Sequence, residues 1–176
     1  GCSCRGTAGY AHVSCLAEQA KILVAEAEEN NLDLKVKRAR WARWNTCSLC
    51  EQRYHGVVNC ALGWACWKTY AGRPETDVPR QLAMNVLGVG LYQAKHFEDA
   101  LSVREVTLSM ARRLGGPAAH ILILQGNLAT NYQMLGRTTE GLRMRRDVYD
   151  GTLRRYGEEK EHTLIEANNY ALNLSD

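Results

Sequence analysis

The sequence predicts an all-α chain: a small metal-binding module followed by an α-solenoid of helical hairpins. Three observations lead there. Only 3 of the 176 residues are proline, and Leu, Ala, Glu, Arg and Gln fill long runs, which suits helices and little else. The C-terminal half repeats itself with a period of about 42 residues, the signature of stacked helical units. The first fifty residues hold Cys2, Cys4, His12, Cys15, Cys47 and Cys50 in three close pairs. Thiolates and imidazoles spaced in this way are zinc ligands rather than a disulfide framework.

Taken in order, residues 1–11 form a Gly-rich knuckle, in which Gly6 and Gly9 permit tight turns. From Val13 the pattern turns helical: Leu16, Ala20, Leu23, Val24 and Ala27 make one apolar stripe, and Asn30-Asn31 ends it. Leu32 to Arg43 is a basic connector carrying Lys35, Lys37, Arg38, Arg40 and Arg43, read as a solvated helix face or as a surface for an acidic partner. Trp41 and Trp44, just before Cys47, are expected to pack over the zinc knuckle, because small zinc modules have thin cores. Glu51 to Gly56 is the exit from the knuckle. Val57 to Tyr70 is a helix whose Cys60 and Cys66 are read as buried thiols, or with His55 as ligands of a further metal. Ala71-Gly72-Arg73-Pro74 punctuates the chain and is the expected domain boundary. The division is residues 1–56 for the zinc module, 57–80 for a helical linker, and 81–176 for two and a half repeats.

Within the repeats, Leu87 recurs as Leu128, and Leu114 recurs as Tyr156. Asn169-Tyr170-Ala171 restarts the unit one period after Asn127-Leu128-Ala129. Each unit reads as two helices that turn near Lys95-His96 or Gly136-Arg137. Gly88 with Ala100, and Ala129 with Gly141, are small enough for the two helices to approach closely. The Arg-rich second helix (Arg143, Arg145, Arg146, Arg154, Arg155) reads as solvated surface. The third unit stops after one helix, and the apolar Leu164, Tyr170 and Leu174 suggest continuation.

Composition sets further limits. A net charge of +3 is too small to imply nucleic acid. The longest nearly apolar run, Val57 to Trp67, is about half the ~20 residues needed to span a bilayer. Seven cysteines, none beyond Cys66, in metal-type spacings indicate a reducing compartment, the cytoplasm first, with the nucleus left open. No Ser-His-Asp order of known type and no phosphate loop appears; Gly88-Val89-Gly90 reads as repeat packing.

The first stretch resembles the RING-CH family of zinc fingers, a variant found in ubiquitin ligases. The matching residues are Cys2-Ser3-Cys4-Arg5-Gly6, then His12-Val13-Ser14-Cys15-Leu16, then Cys47-Ser48-Leu49-Cys50. Two departures stand out: the family's first cysteine pair is absent, and the spacer from Cys15 to Cys47 is long. The resemblance implies a cross-brace. Cys2, Cys4, Cys47 and Cys50 would complete one closed structural zinc site, and His12 with Cys15 would be half of a second, whose other ligands are expected upstream of Gly1. It also implies docking of a ubiquitin-conjugating enzyme, with no side chain of this chain carrying chemistry, and a fragment inactive by itself. Chelation is expected to melt the first fifty residues and spare the repeats.

The repeats resemble tetratricopeptide (TPR) repeats of the longer, kinesin-light-chain-like kind; Asn127-Leu128-Ala129-Thr130-Asn131-Tyr132 and Leu135-Gly136-Arg137 match best. Such repeats present a groove to protein partners. Asn85, Asn127, Gln133, Asn168 and Asn169 fall on the first helices, where they would line that groove or, alternatively, cap and bridge neighbouring helices. The combined expectation is a zinc-binding interaction protein, ligase-like or a non-enzymatic scaffold; a kinesin-type adaptor rests on the repeats alone.

Overall fold

A computed structural model of the chain describes residues 11–174. Among them are eight α-helices and one 3₁₀ turn, and the one β pairing is an isolated antiparallel bridge between Thr46 and Arg53. The all-α expectation therefore holds for the described residues. The helices are α1 (Val13–Glu29), α2 (Leu34–Trp41), α3 (Gly56–Tyr70), α4 (Val78–Gln93), α5 (Phe97–Arg113), α6 (Ala118–Met134), α7 (Thr138–Tyr156) and α8 (Glu161–Leu174). They divide into two compact units, Gly1–His96 and Phe97–Asp176.

In unit one the buried stripe of α1 is Ala20, Val24 and Ala27, at the four- and three-residue steps that return to one helix face. The helix stops where Asn31 turns left-handed (φ 43°) and the Leu32 amide donates back to the Ala27 carbonyl at 3.0 Å. Asp33 then caps α2 by accepting the Val36 amide at 3.0 Å. The connector is not simply solvated. Arg40 pairs with Glu26 at 2.7 Å and donates to the Leu23 carbonyl, which ties α2 to α1.

Helix α3 is apolar around most of its circumference because it is packed on several sides, against α1, the 3₁₀ turn (Ala42–Trp44) and α4. Two glycines let α3 and α4 come close. A Cβ on Gly90 would lie 2.7 Å from the Asn59 carbonyl oxygen, and one on Gly63 would lie 3.1 Å from the Leu87 Cα. Asn59, buried at this seam, donates to the Gln93 side chain at 2.9 Å. Residues 57–80, expected as a linker, thus supply the central helix of unit one. Ala71–Pro74, expected as the domain boundary, lies in the connection between α3 and α4 within that unit.

The tryptophans also sit elsewhere than expected. Trp44 is fully buried with Ala20, Val24, Cys66, Tyr70 and Ala83, and Trp41 packs on the same cluster. Their rings meet Tyr70 at 6.0 and 5.3 Å between centroids. They fill the helical core rather than covering the knuckle, because three helices offer more apolar surface than one short loop.

Unit two stacks α5 on α6, α6 on α7 and α7 on α8. Leu101, Leu108 and Ala111 of α5 meet Leu124, Leu128 and Tyr132 of α6. The small-residue approach expected for Ala129 and Gly141 is present: a Cβ on Gly141 would lie 3.3 Å from the Ala129 carbonyl oxygen.

Candidate functional site

The Cys47–Cys50 loop is a tight knuckle. The Cys47 amide donates to the Gln52 carbonyl at 2.9 Å, and the Glu51 amide donates to the Cys47 carbonyl at 3.1 Å. Glu51 holds a left-handed backbone (φ 57°), which a non-glycine residue adopts only when neighbours fix it. The Leu49 amide donates to the Cys47 Sγ at 3.4 Å. A backbone N–H aimed at sulfur is also how second-shell donors hold metal ligands. Arg43, from the basic connector, donates to the Cys47 carbonyl at 3.1 Å and braces the loop from outside. The two cysteines of this loop are donors of the type that zinc takes.

The other predicted ligands stand as follows. Cys2 and Cys4 lie outside the described residues. His12 is the residue before α1 and Cys15 is on its first turn, both exposed. Val13, Leu16 and Ala17 from that turn pack on the cluster of Cys47, Tyr54 and Leu62, so α1 begins beside the knuckle. Among the described residues no three His, Cys, Asp or Glu side chains gather as a metal site. Cys66 is fully buried, and burial pushes its thiol up, which makes it inert packing. Cys60 is half-buried.

The second candidate is the repeat surface. Of the expected groove residues, Asn85 lies half-buried in unit one, and the other four belong to unit two. Asn127 and Gln133 are half-buried on α6, Asn168 is exposed on α8, and Asn169 donates to Glu166 within α8 at 3.3 Å. Between α6, α7 and α8 lies a cavity of about 140 Å³ floored by Val148 and Thr152. Ile123 and Ile165 are exposed at its edge, and Tyr156, His162 and Glu166 are its titratable lining. It has room for one apolar side chain.

Sequence reasoning missed the polar core that holds these helices. Asn131 is fully buried; its amide donates to the Phe97 carbonyl at 2.8 Å, and its oxygen accepts from Arg104. Arg104 also donates to the Asn127 carbonyl at 2.7 Å. Arg145, its counterpart one repeat further on, is 8% exposed. It donates to Thr130 of α6 and pairs with Glu166 of α8 at 3.5 Å. The expectation that the arginines of α7 are all solvated fails here, because Thr130 of α6 and Glu166 of α8 receive the Arg145 guanidinium. The signal was present: Arg104 and Arg145 each sit inside the apolar stripe of their helix. Tyr132 donates to Glu105 at 3.0 Å, and burial, then that carboxylate, raises its phenol above the usual range.

No helix among the described residues is long and apolar enough to cross a membrane. Compared with known proteins, the chain matches no family model, no curated protein and no solved structure.

Proposed function

We propose that this chain is a zinc-binding protein–protein interaction protein in which TPR-like hairpins select a partner and a RING-CH-like knuckle completes a ubiquitin-ligase-like adaptor. One observation carries the repeat part of the reading. The turn after α4 and the turn after α6 are closed by the same pair of hydrogen bonds, displaced by one repeat. The Lys95 amide donates to Tyr92 and His96 to Leu91, both at 3.0 Å; Gly136 donates to Gln133 at 2.9 Å and Arg137 to Tyr132 at 2.8 Å. Lys95 and Gly136 are both left-handed, at φ 65° and 71°. A period that recurs in backbone geometry as well as in letters supports true repeats. The cavity beside Ile123 and Ile165 would anchor an apolar side chain of the partner.

The zinc part rests on the knuckle. When bound, zinc would supply a closed structural crosslink rather than an open coordination position. Cys47 and Cys50 would ligate it with Cys2 and Cys4, while the Leu49 amide and Arg43 hold the Cys47 side of the loop in place. His12 and Cys15 would belong to a second site. The residues of this chain would dock a charged conjugating enzyme and not react themselves.

The test is metal content followed by transfer. Reduced protein should carry about one zinc per chain, and Cys47→Ser should lose it. Zinc-free reduced protein would refute the knuckle reading. Autoubiquitination by a version extended upstream should then be seen with at least one of a broad panel of conjugating enzymes. The non-enzymatic scaffold is favoured by the bracing of the knuckle through Arg43 and Tyr54, which builds it into a helical unit rather than leaving it as a free-standing finger. Zinc content without transfer by any conjugating enzyme would select that reading.

A further inference from the structure

We infer that the cleft between the start of α6 and the end of α7 binds an acidic segment of a protein partner, with carboxylates on Arg154 and Arg155 and an apolar side chain on the floor beside them. The inference goes beyond the reading above: it needs neither the zinc site nor the cavity beside Ile123 and Ile165. The cleft measures about 520 Å³ and is open to solvent. It is lined by Ala118, Ile121 and Leu122 of α6 and by Gly151, Arg154 and Arg155 of α7. Each set of three follows the three- and four-residue steps that share one helix face. Leu122 reaches across to α7 because Gly151 has no side chain: a Cβ there would lie 2.6 Å from the Leu122 Cδ2. Ala118 is exposed, and Ile121 and Leu122 are half-buried, so apolar surface stays open on the floor.

The two arginines at the edge are exposed and meet no carboxylate among the described residues. Asp150 and Glu158 stand four positions either side of Arg154, and neither forms an ion pair with it. Arg155 lies over the Tyr156 ring, 5.4 Å from its centroid, and donates to no oxygen. The start of α6 adds no counter-charge, since its first turn holds no acidic residue. Adjacent guanidiniums repel each other, and a carboxylate placed between them relieves that repulsion and accepts from both.

Charge and shape select the occupant. From Phe97 to Asp176 the sequence holds ten basic and eleven acidic residues, so the positive charge belongs to the cleft and not to the unit as a whole. Nucleic acid is bound by extended basic surfaces. A small anion would leave the apolar floor uncovered, and an open cleft encloses too little of a small molecule to hold it. An acidic peptide covers the floor with one apolar side chain and continues past the cleft on both sides.

A fluorescein-labelled peptide of sequence Glu-Glu-Leu-Glu-Glu is titrated into the full chain and read by anisotropy. Saturable binding is expected. Reversing both cleft charges, Arg154→Glu with Arg155→Glu, should weaken it by about tenfold or more. Arg143→Glu with Arg146→Glu makes the same charge change on exposed residues of α7 outside the cleft and should weaken it less than about threefold. Ala118→Trp fills the cleft without altering a charge and should also weaken binding by about tenfold. All five residues are exposed, so the variants should keep the circular dichroism of the wild type. No binding overturns the inference. Equal weakening by the two charge-reversed pairs overturns it too, because the attraction would then be general. So does binding indifferent to Ala118→Trp, or tighter binding of a single-stranded oligonucleotide. Metal content does not enter the titration, so a failure here leaves the zinc reading standing.

Discussion

Replacing Asn131 by leucine tests whether buried polar contacts, and not the apolar seam alone, hold unit two together. Asn131 has no exposed surface, and its amide spans two helices: it donates to the Phe97 carbonyl at the start of α5 and accepts from Arg104 further along that helix. Leucine has the same branched shape but a larger volume, so no cavity opens and some overpacking is added to the polar loss. What is lost is one donor and one acceptor, the acceptor serving a charged group. Stripping one partner from a buried hydrogen bond costs about 1–3 kcal/mol, with charged partners at the upper end. Arg104 keeps the Asn127 carbonyl, which limits the damage. The expected loss for Asn131→Leu is therefore about 2–4 kcal/mol. For a unit of this size that lowers the melting temperature on the order of 10–20 °C. Urea unfolding followed by helical circular dichroism measures it. Asn127→Ala serves as the control, because Asn127 contributes its backbone carbonyl and should shift stability by less than about 0.5 kcal/mol. In the double variant Arg104→Met with Asn131→Leu, both polar groups leave together, and the loss should fall short of the sum of the singles by at least about 1 kcal/mol. An Asn131→Leu loss under about 0.5 kcal/mol, or strict additivity, would show that the polar bridge is incidental to the fold.

Three further outcomes follow from named contacts. Gly90→Ala should destabilise unit one by about 1–3 kcal/mol, because the new methyl would press on the Asn59 carbonyl and Cys60 Cα backbone atoms; this outweighs the ~1 kcal/mol that alanine gains in a helix, and urea unfolding reads the sign. Burial pushes the Tyr70 phenol from 10.0 up to about 12. The unfolded chain thus releases that proton first as pH rises, so the contribution of Tyr70 is whole below about pH 10 and is lost between about pH 10 and 12; stability in that window should recover in Tyr70→Phe relative to wild type. Chelation should loosen the Cys47–Cys50 loop and leave α1, α2 and α3 helical, since Trp44 and Tyr70 pack in a core separate from the knuckle cluster. This narrows the expectation drawn from spacing alone, and amide hydrogen exchange resolves which segments open.

The sequence by itself determined the helices, their turns and the period. Proline scarcity, the three- and four-residue steps of α1 and the recurrence of the repeat unit are local or one-dimensional signals, and backbone hydrogen bonding reproduces them at Asn31, Lys95 and Gly136. What only the tertiary structure decided was which surface each helix gives up. Trp41 and Trp44 read as a lid for the knuckle until Tyr70 and Cys66, from the following helix, turned out to offer the larger apolar face. Arg145 read as solvated because charge predicts exposure for a helix considered alone. Its burial depends on Thr130 and Glu166, which lie on two other helices. Side-chain destination is a property of the assembled neighbours, and a periodic pattern fixes the face of a helix without naming what will cover it.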